Sequence, residues 1–314
     1  MRILITGASG FIGSSLVVRL ADPKYNLYLA SRSSEEYFSQ SNICKFHQVN
    51  WNSQQDLQEI CKNIDVIIHA AGMNANDSLK DPLNAEFFNG TVTTNLVNAA
   101  VASKVNRFIF LSTAHVYKSP LEGKILESNN LTNSHPYATS HVSGENAVLD
   151  AAKNSFIDGL VLRVSNVFGT PEIENINCWD LFVNNLCMQA FTKSQLKITG
   201  NPFQERDFIA KTDFVKVLDN LINYPNPFSP NHIVNIGSGI SHSLFDMAHV
   251  IKREYEKIFN SNINIIKNPD PENEKYETLH FSSSLNNFFK IKIPNSSINE
   301  IRSLLNFCAS EFGQ

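Results

Sequence analysis

Short apolar runs alternate with amphipathic segments through the first half of the chain. The runs are too short for helices and rich in Val, Ile, Leu and Phe, which predicts buried strands at 2–6, 24–31, 45–50, 65–71 and 107–111. The segments between them repeat their apolar residues at helical spacing, and we expect helices at 53–62, 85–104 and 137–153. Strands that alternate with helices in this way form parallel β-α-β units. The pattern therefore predicts an α/β fold with a doubly wound parallel sheet.

The regular alternation ends at Gly169. Beyond it we expect helices at 177–191, 212–223, 243–257 and 297–312, and strands near 196–200, 232–236 and 262–267. We assign residues 1–165 to a first domain that contains the parallel sheet. Residues 166–314 are expected to form mainly a smaller α/β lobe, with some segments returning to the first domain.

A turn with three evenly spaced glycines joins the first strand to a helix. Gly7, Gly10 and Gly13 follow the run that ends at Thr6, and an amphipathic segment, 14–20, comes next. This order places bare backbone N–H groups at a helix N-terminus, where the helix dipole favours negative charge and glycine lets a ligand approach closely. Such a turn suits the pyrophosphate of a dinucleotide. A tight strand-to-helix turn without a ligand needs glycine as well, so the spacing alone leaves that alternative open.

The end of the second strand bears on the choice of cofactor. In dinucleotide folds this position meets the adenosine ribose, where an acidic residue binds the 2′-hydroxyl and an arginine accommodates a 2′-phosphate. The stretch 30–33 contains Ser31 and Arg32 but no carboxylate. We therefore expect NADP, with NAD as the alternative. The competing interpretation is that Arg32 is a solvated loop residue.

Composition and charge exclude several classes of function. The 314 residues carry a net charge of −4, which offers no basic face for nucleic acid and no polybasic stretch for lipid. No apolar run approaches the roughly 20 residues that span a bilayer, so we expect no membrane contact. The five cysteines are scattered without a C-x-x-C pair, so we expect free thiols, no metal site and a cytoplasmic location. His69, inside a predicted strand, is expected to be a hydrogen-bonded core residue.

Two hydroxyl groups are expected to meet at the carboxyl edge of the sheet. Thr113 follows the strand at 107–111, and Tyr137 opens the next helix. In open α/β sheets, ligands bind at the carboxyl ends of the strands. A tyrosine phenol there can exchange a proton with a carbonyl oxygen while hydride moves at carbon, and a threonine hydroxyl can hold that oxygen as its charge changes. Thr113 and Tyr137 are therefore candidate catalytic residues.

Motifs along nearly the whole chain resemble those of the extended short-chain dehydrogenases/reductases of the NAD(P)-dependent epimerase/dehydratase family. They are Thr6-Gly7-x-x-Gly10-x-x-Gly13, Val66-Ile-Ile-His-Ala-Ala71, Asn89-x-x-x-Thr93-x-Asn95, Ser112-Thr113-x-x-Val116-Tyr117, Leu162-Arg163-x-x-Asn166-Val-Phe-Gly169, Arg206-Asp207-Phe208-Ile209 with Asp213, and Val234-Asn235-Ile-Gly-Ser238. Members of this family mostly act on nucleotide sugars. The resemblance implies a Rossmann-type first domain, a substrate-binding second lobe, and a homodimer formed by the helices at 85–104 and 137–153.

The resemblance also implies roles for individual residues. Tyr137 would be the acid/base, and Thr113 would hold the reacting oxygen. Asn166 would contact a nucleotide-sugar substrate, and Arg206 would pair with its diphosphate. For Arg206 the alternative is a structural ion pair with Asp207 or Asp213. The residues expected to contact the cofactor are Gly7, Ser9, Gly10, Phe11, Ile12, Gly13, Ser31, Arg32, Asn50, Trp51, Ala70, Ala71, Gly72, Tyr137 and His141.

The chain departs from the family at His141, because the family pattern is Tyr-x-x-x-Lys and this chain has Tyr137-x-x-x-His141. Positions i and i+4 share a helix face, so the imidazole is expected beside the phenol. The family lysine binds the nicotinamide ribose and lowers the tyrosine pKa, which is about 10 in the free residue and needs to approach 7. An imidazole is mostly neutral at pH 7, although it can donate a hydrogen bond to a ribose hydroxyl. Three interpretations follow: a working substitute, a slow enzyme, or a protein that binds cofactor or sugar without catalysis.

The two residues after Thr113 bear on the type of reaction. Family dehydratases have an Asp-Glu pair there, and this chain has Ala114 and His115. This chain lacks that acid and base for eliminating water, which leaves a 4-epimerase or a 4-ketoreductase, and the Ser31-Arg32 pair favours the reductase. His115 is expected to be an exposed loop residue, and the alternative is an additional acid near the sugar. A non-catalytic NADP-binding protein and a reductase of a non-sugar carbonyl compound are the competing hypotheses.

Overall fold

A computed structural model describes residues 1–31, 44–173, 176–267 and 277–313. Its strands are β1 (Arg2–Thr6), β2 (Asn26–Ser31), β3 (Cys44–Gln48), β4 (Val66–His69), β5 (Arg107–Thr113), β6 (Lys124–Ile125), β7 (Asp158–Val164), β8 (Asn166–Phe168), β9 (Gln195–Lys197), β10 (Glu205–Ala210), β11 (Ile233–Ile236), β12 (Ser241–Ser243), β13 (Asn264–Ile266) and β14 (His280–Phe281). Its α-helices are α1 (Phe11–Arg19), α2 (Gln54–Cys61), α3 (Ala75–Lys80), α4 (Pro82–Ala85), α5 (Val92–Ala102), α6 (Pro136–Lys153), α7 (Phe182–Thr192), α8 (Lys211–Ile222), α9 (Leu244–Phe259), α10 (Leu285–Phe289) and α11 (Ser297–Phe312). A π-helical turn, Glu86–Thr91, joins α4 to α5, and a 3₁₀ turn, Ala114–Val116, follows β5. Within these ranges, no helix has the length and apolar character needed to cross a bilayer.

A parallel sheet, seven strands wide in the described ranges, forms the centre of the molecule. Its strand order is β3-β2-β1-β4-β5-β7-β11, and all neighbouring strands are parallel. Apolar cores lie on both faces because helices cover each side, which is why the strands read as continuous apolar runs. From β1 the chain first adds β2 and β3 on one side and then β4, β5, β7 and β11 on the other. This reversal of strand order opens a crevice at the carboxyl ends of the strands. The predicted Rossmann-type α/β fold is confirmed.

Most of the second half of the chain builds a smaller lobe. Two small sheets, β12-β10-β8 and β13-β9, pack with α7, α9 and α11 around a separate apolar core. In contrast, β11 pairs with β7 in the large sheet and α8 packs against α1. Because β8 follows directly on β7, the smaller lobe is attached at the carboxyl edge of the large sheet.

Two of the predicted helices differ from those in the structure. The helix expected at 85–104 is interrupted by the π-helical turn, in which Asn89 accepts a hydrogen bond from Met73 N–H at 2.7 Å and donates one to Ser140 at 3.0 Å. The helix expected from residue 177 begins only at Phe182, since the backbone of Leu181 is extended. Both differences arise from tertiary contacts or local backbone geometry that apolar spacing does not encode.

A buried chain of hydrogen bonds links β1 and β4 to α5. The two ring nitrogens of His69 meet the hydroxyls of Thr6 at 2.7 Å and Thr93 at 2.9 Å. Thr93 donates its own proton to the carbonyl of Asn89, so His69 Nε2–H donates to Thr93 and Nδ1 accepts from Thr6. Burial lowers the pKa of His69 to about 3, and the ring is neutral. His69 is therefore the hydrogen-bonded core residue that the sequence predicted.

We expect acid to destabilise the protein through His69. Below pH 6.5 the unfolded chain binds a proton at this histidine, whereas the folded protein does so only near pH 3. The unfolded state thus binds more protons in this window, so the free energy of unfolding decreases as the pH is lowered. The decrease at pH 5 is roughly 2 kcal/mol from His69 alone. Urea unfolding at several pH values measures this loss of unfolding free energy. Compared with the wild-type protein, the loss should be smaller for His69→Gln and the same for the exposed control His249→Gln. An equal loss in all three proteins would contradict the assignment.

Candidate active site

A cleft with a volume of about 460 Å³ lies between the large sheet and the smaller lobe. The turn after β1, the ends of β4 and β5, the start of α6, and β8 and β10 contribute to its walls. The predicted site residues that line it are Phe11, Ile12, Ala70, Ala71, Gly72, Thr113, Tyr137, His141, Asn166 and Arg206. The structure thus brings the predicted catalytic and substrate residues together beside the predicted cofactor turn.

The glycine turn fits a dinucleotide pyrophosphate. Gly7 has φ +66°, a left-handed conformation, and a Cβ there would lie 2.7 Å from the backbone nitrogen of Ala71. A Cβ at Gly13 would overlap the carbonyl oxygen of Gly7, so close packing of α1 on the turn requires that glycine. Gly10 begins α1 without a side-chain cap. The first-turn amides of α1 therefore keep their N–H groups for an anion at the positive end of the helix dipole.

The other predicted cofactor residues are more scattered. Ser31 is buried at the end of β2, and its hydroxyl lies 2.8 Å from the hydroxyl of Ser9 in the glycine turn. Arg32 lies outside the described residues. Trp51 is buried in an apolar core and Asn50 is exposed before α2, and neither lines the cleft. Contacts of Arg32, Asn50 and Trp51 with a cofactor stay predictions.

The hydroxyls of Thr113 and Tyr137 meet in the cleft. Thr113 Oγ1 accepts the backbone N–H of His115 at 3.1 Å, which leaves its hydroxyl hydrogen to be donated. Tyr137 lies in the first turn of α6, where its N–H donates to the ring of His135 at 3.1 Å. Burial raises the pKa of Tyr137, and its hydrogen bond with Thr113 opposes that change without cancelling it. The phenol is therefore protonated at neutral pH.

His141 lies beside Tyr137, as its position four residues later predicted. The two ring centroids are 4.4 Å apart, and Nδ1 of His141 lies 2.8 Å from the backbone oxygen of Tyr137. A carbonyl oxygen only accepts, so this geometry assigns the proton to Nδ1 and leaves a lone pair on Nε2, near Gly72. Burial lowers the pKa of His141 to about 4. The neutral ring thus offers an acceptor, not the donor expected from the sequence.

A buried ion pair holds α6, the helix that carries Tyr137, against the sheet. Glu145 lies two helical turns after Tyr137, and Arg163 on β7 binds both of its carboxylate oxygens at 2.6–3.1 Å. The same carboxylate accepts the hydroxyl of Ser112, the neighbour of Thr113. This contact fixes α6 relative to the strand that carries Thr113. Motif spacing did not identify Glu145, although its position on the face of Tyr137 is a usable signal.

Arg206 lies on β10 with its guanidinium toward the cleft. Its hydrogen-bond partner is Gln204 at 3.4 Å, and no carboxylate pairs with it in the described part of the chain. Asp207 and Asp213 instead accept hydrogen bonds from hydroxyl or backbone donors elsewhere. The structural ion pair considered for Arg206 is therefore not present. Asn166, which also lines the cleft, donates its amide to the carbonyl of Asp207 at 2.9 Å and keeps its side-chain oxygen available.

The expectation that His115 is an exposed loop residue is wrong. The side chain is half-buried in the cleft wall because Ala114–Val116 forms a 3₁₀ turn whose first and last residues are buried. The carbonyl of His115 accepts the side-chain amide of Asn133 at 2.7 Å. Burial, and then the nearby charge of Arg206, lowers the pKa of His115 to about 4. A neutral imidazole therefore forms part of the cleft.

Several cleft residues belong to no sequence motif. The segment 73–76 follows the end of β4, and Asn177 with 180–183 comes from the smaller lobe. Asn76 donates its side-chain amide to Asp180 at 3.2 Å, which joins the two walls of the cleft. No motif marks these positions, and their only signal is that they follow a strand or precede a helix.

The fold and the cleft together define a Rossmann-type protein with a glycine turn beside a Thr–Tyr pair. A family model described as the NAD dependent epimerase/dehydratase family matches residues 3–237. The chain belongs to this family, as its motifs predicted.

Relatives of known type share most of the chain. A UDP-glucose 4-epimerase from Dictyostelium discoideum is 27% identical over 283 residues, which cover 82% of this chain and 82% of that protein. A dTDP-D-glucose 4,6-dehydratase from Homo sapiens is 27% identical over 268 residues, which cover 79% of this chain and 72% of that protein. A UDP-glucuronic acid 4-epimerase from Bacillus cereus, solved with UDP-glucuronic acid and NAD, has a TM-score of 0.83, 23% identity and 99% coverage of both chains. At 23% identity, this structural similarity shows a shared fold and no more.

Proposed function

We propose that this protein is an enzyme that interconverts the C4 hydroxyl and the C4 ketone of a nucleotide sugar with a nicotinamide cofactor. The proposal depends mainly on one observation: Thr113, Tyr137 and Arg206 line a single cleft beside the glycine turn. A half-buried guanidinium without a carboxylate partner in the described residues suits the diphosphate of a nucleotide sugar. Relatives named as nucleotide-sugar epimerases and dehydratases support the same substrate class.

The chain's own residues would handle the oxygen and the proton at C4. A bound nicotinamide supplies or accepts the hydride. Thr113 would donate its hydroxyl hydrogen to O4, because its oxygen already accepts the N–H of His115. Tyr137 would give its phenolic proton to O4 as the ketone becomes an alcohol, and take it back in the reverse direction. Arg206 and Asn166 would hold the diphosphate end, so that O4 stays against the phenol.

The state of Tyr137 favours reduction of a ketone. The half-buried phenol has a raised pKa, and its neighbour His141 is neutral, so the phenol is a proton donor at neutral pH. Oxidation of an alcohol requires the phenolate as base, which this environment disfavours. A 4-ketoreductase is therefore our first candidate. A 4-epimerase is the second, supported by relatives of that name that cover most of the chain.

A dehydratase is less well supported, although some relatives carry that name. Elimination of water needs an acid and a base beyond the tyrosine. The positions after Thr113 are occupied by Ala114, which has no ionisable group, and His115, whose pKa is lowered to about 4, so that at neutral pH it is a weak base and not an acid. We therefore do not assign elimination to this chain.

For the cofactor we propose NADP, with NAD as the alternative. The sequence pair Ser31-Arg32 motivates this choice, because arginine suits a 2′-phosphate and no carboxylate ends β2. We also propose a homodimer formed through the segments 85–104 and 137–153, by analogy with the family. Light scattering of the purified protein tests the dimer.

Reduction of bound cofactor by a nucleotide sugar tests the proposed function. The nucleotide released from denatured protein is identified first, and the protein is then mixed with NADP⁺ or NAD⁺ and UDP-, dTDP-, GDP- or CDP-hexoses. We expect one nucleotide hexose to produce reduced cofactor, and the corresponding 4-keto sugar to consume it faster. Binding of a nucleotide sugar without any cofactor reduction would favour the non-catalytic alternative. Binding of no nucleotide diphosphate would favour a non-sugar substrate.

A further inference from the structure

The imidazole of His115 has no assigned role in the reaction, yet its backbone is fixed on both sides. Its N–H donates to Thr113 Oγ1 at 3.1 Å, and its carbonyl accepts the amide of Asn133 at 2.7 Å. The ring faces the cleft. In the described part of the chain, neither ring nitrogen has a hydrogen-bond partner. A half-buried polar group held in this way has its hydrogen-bonding capacity directed toward whatever fills the cleft.

The position of His115 relates it to both ends of the proposed substrate. It lies two residues after Thr113, which would hold the reacting oxygen. It also lies close enough to Arg206, which would hold the diphosphate, for the guanidinium charge to oppose protonation of its ring. In a nucleotide sugar, the groups near both the reacting carbon and the diphosphate are hydroxyls of the hexose.

The chemistry of a neutral imidazole narrows the kind of group it can bind. One ring nitrogen donates and the other accepts. A hydroxyl can meet either requirement, whereas a carboxylate offers only acceptors and an ammonium only donors. The charged or titratable side chains that face His115 are the guanidinium of Arg206 on β10 and the imidazoles of His135 and His141 on or next to α6. These neighbours provide no carboxylate to stabilise an imidazolium, so the neutral form matches the site.

We propose that His115 hydrogen-bonds a hydroxyl of the hexose and so lets the cleft prefer a nucleotide sugar over the bare nucleotide diphosphate. This inference rests on the proposed function, because it needs Arg206 to bind the diphosphate. It adds a residue that contacts the sugar itself. The contribution of such a residue is separable from that of Arg206, since a bare nucleotide diphosphate has no hexose for His115 to bind.

Calorimetric binding to the cofactor-loaded protein tests this proposal. The nucleotide is chosen as the diphosphate among UDP, dTDP, GDP and CDP that stabilises the wild-type protein most in a thermal melt. The probes are then that diphosphate and its glucose conjugate. We expect His115→Ala to weaken binding of the conjugate about tenfold and binding of the diphosphate less than twofold, which is the size expected for one neutral hydrogen bond. Arg206→Ala should weaken both.

Two further variants separate recognition from folding. His115→Asn keeps one donor and one acceptor and should recover part of the preference for the conjugate. His242→Ala removes a histidine that pairs with Arg206 in the sheet register but does not line the cleft, and it should leave both affinities unchanged. Equal weakening of both probes by His115→Ala, or no weakening of either, would overturn the inference alone. Failure of the wild-type protein to bind any diphosphate would overturn both the inference and the proposed function.

Discussion

Replacement of Tyr137 by phenylalanine is expected to reduce turnover by about 10²- to 10⁴-fold, the usual contribution of a positioned acid or base. The substitution removes one oxygen and keeps the ring that packs 4.4 Å from the ring of His141. Since the partner of the phenol in the described protein is Thr113, stability and cofactor affinity should change little. The measurement is kcat with the nucleotide sugar identified by cofactor reduction, together with cofactor fluorescence and a thermal melt.

Tyr117→Phe is the matched control for this prediction. Its hydroxyl lies near the same strand end, but it is buried against Asn235 at 2.6 Å and Arg163 at 3.1 Å, away from the cleft. Its removal takes one hydrogen bond from each partner, although Arg163 keeps those to Glu145 and Asn235 keeps the one to Ser282, and should cost about 1–3 kcal/mol of stability, while the folded protein keeps its turnover. If Tyr137→Phe retains wild-type turnover, the phenol is not the proton donor, and the proposed mechanism is wrong.

The central sheet was predictable because its strands are continuously apolar and must be buried on both faces. Runs such as 66–69 and 107–113 are almost wholly buried, and a continuous apolar run of that length fits a parallel sheet covered on both faces. The smaller lobe was harder. Its strands β9 and β13 have three residues each, which is too short for alternation of apolar and polar positions to identify them reliably.

The same distinction applies to the candidate site, where some residues were predictable from the geometry of the sheet and others were not. Thr113 and Tyr137 were predictable because strand ends in a parallel sheet meet at one edge, and the first residues of the next helix lie there too. His115 was not, since a three-residue 3₁₀ turn has no periodicity that separates it from a loop. The ion pair of Glu145 with Arg163 joins residues distant in sequence, and only the packing of α6 on the sheet brings them together.

The role of His141 depends on which ring nitrogen carries the proton, and spacing alone does not answer that question. In the structure Nδ1 donates to the backbone of Tyr137, burial keeps the ring neutral, and Nε2 is an acceptor. The site therefore lacks the positive charge that the family lysine places beside the tyrosine. Of the three interpretations of His141, the geometry agrees best with a slow enzyme whose phenol is a weak acid.

We therefore expect His141→Lys to raise kcat by roughly 10- to 100-fold. An ammonium about 5 Å from the phenol stabilises the phenolate by about 3 kcal/mol at an effective dielectric constant of 20, which lowers the tyrosine pKa by about 2 units. A donor whose pKa lies nearer the working pH transfers its proton more readily. Because a ketone reduction needs the protonated phenol, the alkaline limb of the pH profile of kcat should move to lower pH by a similar amount.

Two variants test whether charge at this position causes the gain. Thr139→Lys places the same charge on the same helix at an exposed position, and His141→Gln keeps a polar side chain at position 141 without charge. Neither should raise kcat or move the alkaline limb. If His141→Lys leaves kcat unchanged or lowers it while both controls behave like the wild type, the site is adapted to a neutral acceptor. In that case the lone pair on Nε2 is a functional part of the cofactor contact, and the wild-type enzyme is not an impaired form of the lysine enzyme.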